Sequence, residues 1–151
     1  MIQSPEDKIT KDGIRLVCEM LRYRNLDFFH DLVFKFDSGE ILPANSAVVT
    51  SRCDYFRSML TKKYGFKFES DGMVRFVEIK GIERSYFQVI LQYLYSDTYQ
   101  ICSDEMNSLT FFLSLLIYAD YFMIQRLVEI CSKKITECIR PKNAIALLLI
   151  A

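Results

Sequence analysis

The chain has 151 residues, 51% of them hydrophobic, with 19 basic and 19 acidic side chains and a formal net charge of zero. That length is one ordinary domain, enough to bury a core without disulfides or metal. The charge balance lacks the basic excess of a nucleic-acid binder, and it leaves little repulsion between copies, which tolerates self-association.

Ser4-Pro5-Glu6-Asp7 has the cap, proline and acid of a helix start. A stronger helix follows, with Ile14, Val17, Cys18 and Leu21 at i, i+3, i+4 and i+7 as one apolar stripe. Phe28 and Phe29 lead to Asp31 and a strand over residues 32–36. Apolar residues dominate both of its faces, so a buried strand is expected. Asp37-Ser38-Gly39 is a tight turn whose glycine supplies a positive φ. A second strand and two short helices come next, the last ending Tyr55-Phe56-Arg57-Ser58-Met59-Leu60.

Residues 61–71, TKKYGFKFESD, are basic, aromatic and irregular, with Gly65 and Gly72 as breakers. A third strand is expected over 74–79, a helix over 83–95 with Phe87, Ile90, Leu91 and Leu94 on one face, and a short strand over 98–101. Residues 109–122 are nearly apolar all round. They predict a buried central helix, with Leu91, Leu94, Leu116 and Ala119 fully enclosed. Residues 124–138 are amphipathic, with Ile124, Leu127, Val128, Cys131, Ile135 and Cys138 facing inward. Pro141 starts another helix that runs uncapped and apolar to Ala151, so the parent protein is expected to continue. The order predicts an α+β fold, helices wrapped on a small sheet.

Catalytic chemistry finds no footing. Cysteines stand at 18, 53, 102, 131 and 138, an odd number without CxxC spacing. This pattern indicates neither a disulfide framework nor a zinc site, and reduced buried thiols point to the cytosol or nucleus. His30 is the single histidine, and the thiol of Cys53, between Arg52 and Asp54, has no plausible base. Glu69, Asp71, Asp104 and Glu105 fall in expected loops and read as solvated carboxylates. No phosphate-binding glycine motif is present. The N-terminus lacks a signal pattern, and the apolar run 111–119 is far short of the roughly 20 residues that span a bilayer. Lys62, Lys63 and Lys67 among Tyr64, Phe66 and Phe68 form a weak phosphate footprint; a protein-binding loop is the better reading. No catalytic residue, cofactor, metal, nucleic acid or membrane is expected.

The stretch DLVFKFDSGEILPANSAVVTSRCDYFRSML, residues 31–60, resembles the opening of a BTB/POZ domain. That family starts a strand with Asp, makes a hairpin, then an Ala-His-Lys-x-x-Leu helix and a Ser-x-Tyr-Phe-x-x-Met helix. Val77-Glu78-Ile79-Lys80-Gly81-Ile82 followed by the helix to Ser96-Asp97 is similar to its next strand and helix. Leu115-Leu116, Ala119-Asp120-Tyr121-Phe122, Leu127 and Cys131 are similar to its later helix pair. The resemblance covers 11–138, with 1–10 as a flank and 139–151 as the start of a C-terminal helical extension.

The resemblance implies a three-stranded sheet capped by helices and a two-fold homodimer through the helix bearing Ile14, Val17, Cys18 and Leu21. It also implies recruitment of cullin-3 into a ubiquitin ligase, with substrate protein held by other modules of the parent. The implied cullin contacts are Tyr55, Met59, Phe66, Phe68, Glu69 and Phe122, the last at the family's exposed contact aromatic. The rival implication is an architectural or transcriptional oligomerisation domain without cullin binding. Three departures stand out. Asn45 replaces the family His and Ser46 the following base, so of the Asp-with-base pocket that supports corepressor binding only Asp31 is kept. Phe66 and Phe68 precede Glu69 at a spacing that departs from hydrophobic-x-Glu. The His/Cys zinc set of the potassium-channel relative is absent.

Overall fold

The computed structural model describes residues 30–61, 74–98 and 109–139. The chain divides into two compact units, Met1–Tyr99 and Gln100–Ala151.

In the first unit β1 (Leu32–Phe36) runs antiparallel to β2 (Ile41–Ala44) and parallel to β3 (Arg75–Ile79), giving the order β2-β1-β3. The hairpin closes where expected. Gly39 has φ +84°, its N–H donates to the Phe36 carbonyl at 2.9 Å, and the Phe36 N–H donates to Glu40 at 3.0 Å. A residue with a Cβ is strained at that φ. After β2 come α1 (Ser46–Arg52) and α2 (Asp54–Thr61); after β3 comes α3 (Arg84–Ser96). Asp97 ends α3 in the left-handed region at φ 56°, its N–H donating to the Tyr93 carbonyl at 2.8 Å.

The core of this unit is aromatic. Phe34, Phe56 and Phe87 are fully buried, with ring centroids 5.4, 4.6 and 6.1 Å apart pair by pair. Phe36 adds an edge contact to Phe87 at 5.5 Å. Such pairs contribute about 0.5–1.5 kcal/mol each beyond their burial. The expected α3 face is buried, Phe87, Ile90, Leu91 and Leu94, and Val89, Tyr93, Tyr95 and Ser96 widen it. The strand expectation needs correction. In β1 Leu32, Phe34 and Phe36 are buried while Val33 and Lys35 are half-exposed, because alternate side chains leave opposite faces of the pleat and one face holds the core.

The second unit holds two helices, α4 (Leu109–Tyr121) and α5 (Gln125–Cys138), joined by a three-residue turn. Phe111, Phe112, Leu115 and Ala119 are buried. Burial all round is not found: Leu116 is half-exposed and Ile117 is 63% exposed. Leu115, not Leu116, lies on the stripe with Phe111 and Ala119, at helical spacing of four. On α5, Leu127 and Cys131 are buried and Ile124 just before it, whereas Val128, Ile135 and Cys138 are only half-buried. The helix start at 4–7, the stripe at 14–21, the basic stretch after Thr61, and the helix expected after Pro141 lie outside the described residues, as do 99–101 of the short strand; Thr98 belongs to no element.

Leu115→Ala is expected to cost about 2–5 kcal/mol in urea denaturation, and Leu116→Ala less than half of that, since a cavity opens only where packing encloses the removed atoms.

Candidate protein-interaction surface

The surface begins with what fixes it. Helix α1 has seven residues, too short to persist alone, and its first turn is held by side chains from outside it. The Asn45 Oδ1 accepts from the Val48 N–H at 3.2 Å. The Asp31 Oδ1 accepts from the Ser46 N–H at 2.6 Å, and its Oδ2 accepts from the Ser46 hydroxyl. The Asn45 N–H in turn donates to the hydroxyl of Tyr95, a buried residue of α3. Arg57 closes the other end of α1, donating to the carbonyls of Thr50 at 2.8 Å and Ser51 at 3.3 Å. Asp31 is thus committed to capping. With Asn45 and Ser46 at the two positions where the resembled family carries bases, both its oxygens accept from Ser46.

Two expected contact residues lie on α2. Phe56 and Leu60 are buried, while Tyr55 and Met59, four residues apart on one face, are half-exposed. Tyr55 packs edge-on to buried Phe56 at 5.3 Å, so its ring rests against the core. Phe66, Phe68 and Glu69, like Ile14, Val17, Cys18 and Leu21, lie outside the described residues.

The corner between α4 and α5 differs from expectation. Phe122 is 1% exposed and so is not an exposed contact aromatic. It falls three residues after Ala119 and seven after Leu115, which places it on the buried stripe. The residues that do reach solvent are Ile117, Tyr121 and Met123, at 63%, 59% and 62%. The turn is a Schellman closure: the Ile124 N–H donates to the Ala119 carbonyl at 2.9 Å and the Met123 N–H to the Asp120 carbonyl at 2.8 Å. Met123 occupies the left-handed position at φ 57°, where glycine is usual. Exposed Asp120 sits in the last turn of α4, and exposed Arg126 in the first turn of α5, each at the helix end its charge disfavours. Among the described residues neither has an ion-pair partner. The signal for this patch was present in the sequence as a helix apolar on more faces than one core needs.

Reactive groups are quiet. Cys53 and Cys131 are buried, and burial pushes both thiols up, Cys131 to about 11. A thiol so placed stays protonated and is a poor nucleophile or ligand. Among the described residues no cluster of His, Cys, Asp or Glu could hold a metal ion, and no helix is long and apolar enough to cross a membrane.

Comparison with known proteins gives a consistent picture. The family model for the BTB/POZ domain matches residues 20–139. Inhibitor of Bruton tyrosine kinase from Mus musculus is 32% identical over 128 residues and that from Homo sapiens 33%, each match covering 85% of this chain. The chain spans only 9% of the length of either relative. Among solved structures, the BTB domain of zebrafish PATZ1 superposes with a TM-score of 0.64 at 20% identity, covering 91% of this chain and 98% of that one. The BTB domain of human gigaxonin gives 0.62 at 19%, covering 88% and 94%.

Asp31→Ala leaves the Ser46 donors without their acceptor and is expected to cost about 1–3 kcal/mol in denaturant unfolding, with Asn at the site recovering part of the loss. The second expectation concerns alkaline pH. The Cys131 thiol ionises near 9.0 when unfolded and near 11 in the fold. The unfolded chain therefore loses its proton first. Stability from this group is complete below pH 9.0 and is lost as pH rises toward 11, at about 1.4 kcal/mol per pH unit. Cys131→Ala should flatten that slope in melts taken across the range.

Proposed function

Since the chain belongs to the BTB/POZ domain family, a protein-interaction and oligomerisation fold, we propose that it is a non-enzymatic assembly module that forms a homodimer and recruits cullin-3 to a ubiquitin ligase. The observation that carries this reading is the pair Tyr55 and Met59, half-exposed on one face of α2, where the resembled family meets cullin-3. Aromatic side chains held near a surface by a rigid core make good anchors, because little side-chain entropy remains to be lost. The capped state of Asp31 supports this reading over corepressor binding, which calls for a carboxylate beside free bases. We assign the rest of the partner surface to Phe66, Phe68 and Glu69, and the dimer contact to Ile14, Val17, Cys18 and Leu21. Substrate would be held by other parts of a longer protein, and the setting is the cytosol or nucleus.

The test is calorimetry against the N-terminal region of cullin-3, with light scattering of the chain alone. Wild type should bind and scatter as a dimer. Tyr55→Ala and Phe68→Ala should each weaken binding about tenfold or more while staying folded and dimeric. Phe122→Ala serves as a packing control, expected to cost about 3–5 kcal/mol of stability. Absence of binding at high micromolar concentration would leave the oligomerisation module without its ligase; a monomeric mass would remove the dimer.

A further inference from the structure

The sheet has a second face, turned away from the aromatic core. Six side chains stand on it: Val33 and Lys35 of β1, Ile41 and Pro43 of β2, Phe76 and Glu78 of β3. The register sets them in two rows across the strands, Pro43, Val33, Phe76 and then Ile41, Lys35, Glu78. A sheet face left to water is normally polar, yet four of these six residues are apolar. Ile41 is 55% exposed, and Val33, Pro43 and Phe76 are half-exposed. The two charged members are neighbours in the register. The Lys35 ammonium lies 4.2 Å from the centre of the Phe76 ring, and Glu78 pairs with Lys80 at 3.4 Å in full contact with solvent. At the hairpin end the face opens into a cleft lined by the bases Lys35 and Lys80 and the acids Asp37 and Glu78. An apolar strip is thus bordered by cations and anions in equal number, the make-up of a contact surface.

We infer that this face is a second self-association surface, on which another copy of the chain stacks its own outer sheet face. The inference uses neither the N-terminal helix nor cullin-3 and goes beyond both. A two-fold axis running along the strands, between β1 and β3, exchanges neighbours within each row. It sets Val33 against Phe76 of the second copy and Lys35 against Glu78 of the second copy, and each pair forms twice. Sheets stacked face to face lie about 10 Å apart, a gap that side chains of this size fill from both sides. Charge selects the occupant. A partner of one sign leaves either Lys35 or Glu78 facing its like, whereas a second copy answers both. The zero net charge of the chain adds no general repulsion between copies. Edge pairing through β2 is the poorer route, because Pro43 has no N–H to donate. The face is small, so the contact belongs to the weak class below about 1,200 Å², and it strengthens where one assembly presents it twice.

The experiment is sedimentation equilibrium of the intact chain from about 10 μM to about 1 mM, a range suited to weak contacts. Wild type should gain mass with concentration, from dimer toward tetramer. Lys35→Glu and Glu78→Lys should each weaken that step about tenfold or more, because like charges then meet across the axis. Both are surface substitutions and should melt close to wild type. The double variant Lys35→Glu/Glu78→Lys should regain the step. So should an equimolar mixture of the two single variants, in which an acidic face meets a basic one. A mass that stays dimeric to the top of the range overturns the inference. A rise that both single variants share with wild type also overturns it, since the copies then meet elsewhere. Loss in the single variants with recovery in neither the double variant nor the mixture overturns the two-fold pairing. If wild type starts as a monomer, the helix-mediated dimer falls, and a monomer-to-dimer step with the same charge pattern still supports this face.

Discussion

Three phenyl rings from three distant segments meet at one point in the first unit, and the placement of the interaction surface depends on that meeting. Phe34 comes from the central strand, Phe56 from α2 and Phe87 from α3. The register of the sheet puts Phe34 opposite Leu42 and Val77, both buried on the same face. A slip of one residue would turn Phe34 to the other face and bring Val33 or Lys35 into its place. Register and aromatic packing therefore enforce each other. Because Phe56 is locked inward, the helical period obliges Tyr55 and Met59 to the half-exposed side of α2. The outward chemistry of this helix is a consequence of its inward packing.

The same economy explains the changed pocket. A seven-residue helix leaves its first N–H groups without partners, and this chain satisfies them with Asp31 and Asn45. Tyr95, buried and needing a partner for its hydroxyl, takes the Asn45 N–H. The group thereby joins the start of β1, the start of α1 and the end of α3 through four hydrogen bonds. Asn45 and Ser46 thus serve the start of α1, the first through its side chain and the second through its bonds to Asp31. The Arg52–Asp97 pair adds a further tie between α1 and the end of α3, but both side chains are more than a third exposed, at 41% and 36%, and such pairs contribute little.

Much of this was legible in the sequence. The hairpin, the two short helices, the third strand and the three longer helices stand where periodicity and turn residues put them, with ends displaced by one residue. The misses share one cause. Apolar content shows that an element has a buried face but not how many, so β1 and α4 were both expected to be enclosed and each keeps an exposed side. Leu116 was preferred over Leu115 for the same reason, since on an all-apolar helix the phase is invisible without knowing the neighbours. At Phe122 two signals conflicted. The resemblance marked it as exposed, whereas the spacing Leu115, Ala119, Phe122 marked it as buried, and the fold follows the spacing.

That conflict is resolved by where the helix stops. Had α4 continued without interruption, Met123 would follow Ala119 at i+4, beside the buried stripe. The left-handed turn at Met123 reverses the chain instead, so that Phe122 goes in, Met123 goes out and Ile124 goes in again. Ile124, at 7% exposure, then donates its N–H back to Ala119 and closes the turn over the buried stripe. The exposed set is consequently Ile117, Tyr121 and Met123, a combination of one helical face and one turn residue that no single period generates. A residue unsuited to its backbone conformation decides which side of the Ala-Asp-Tyr-Phe motif meets solvent.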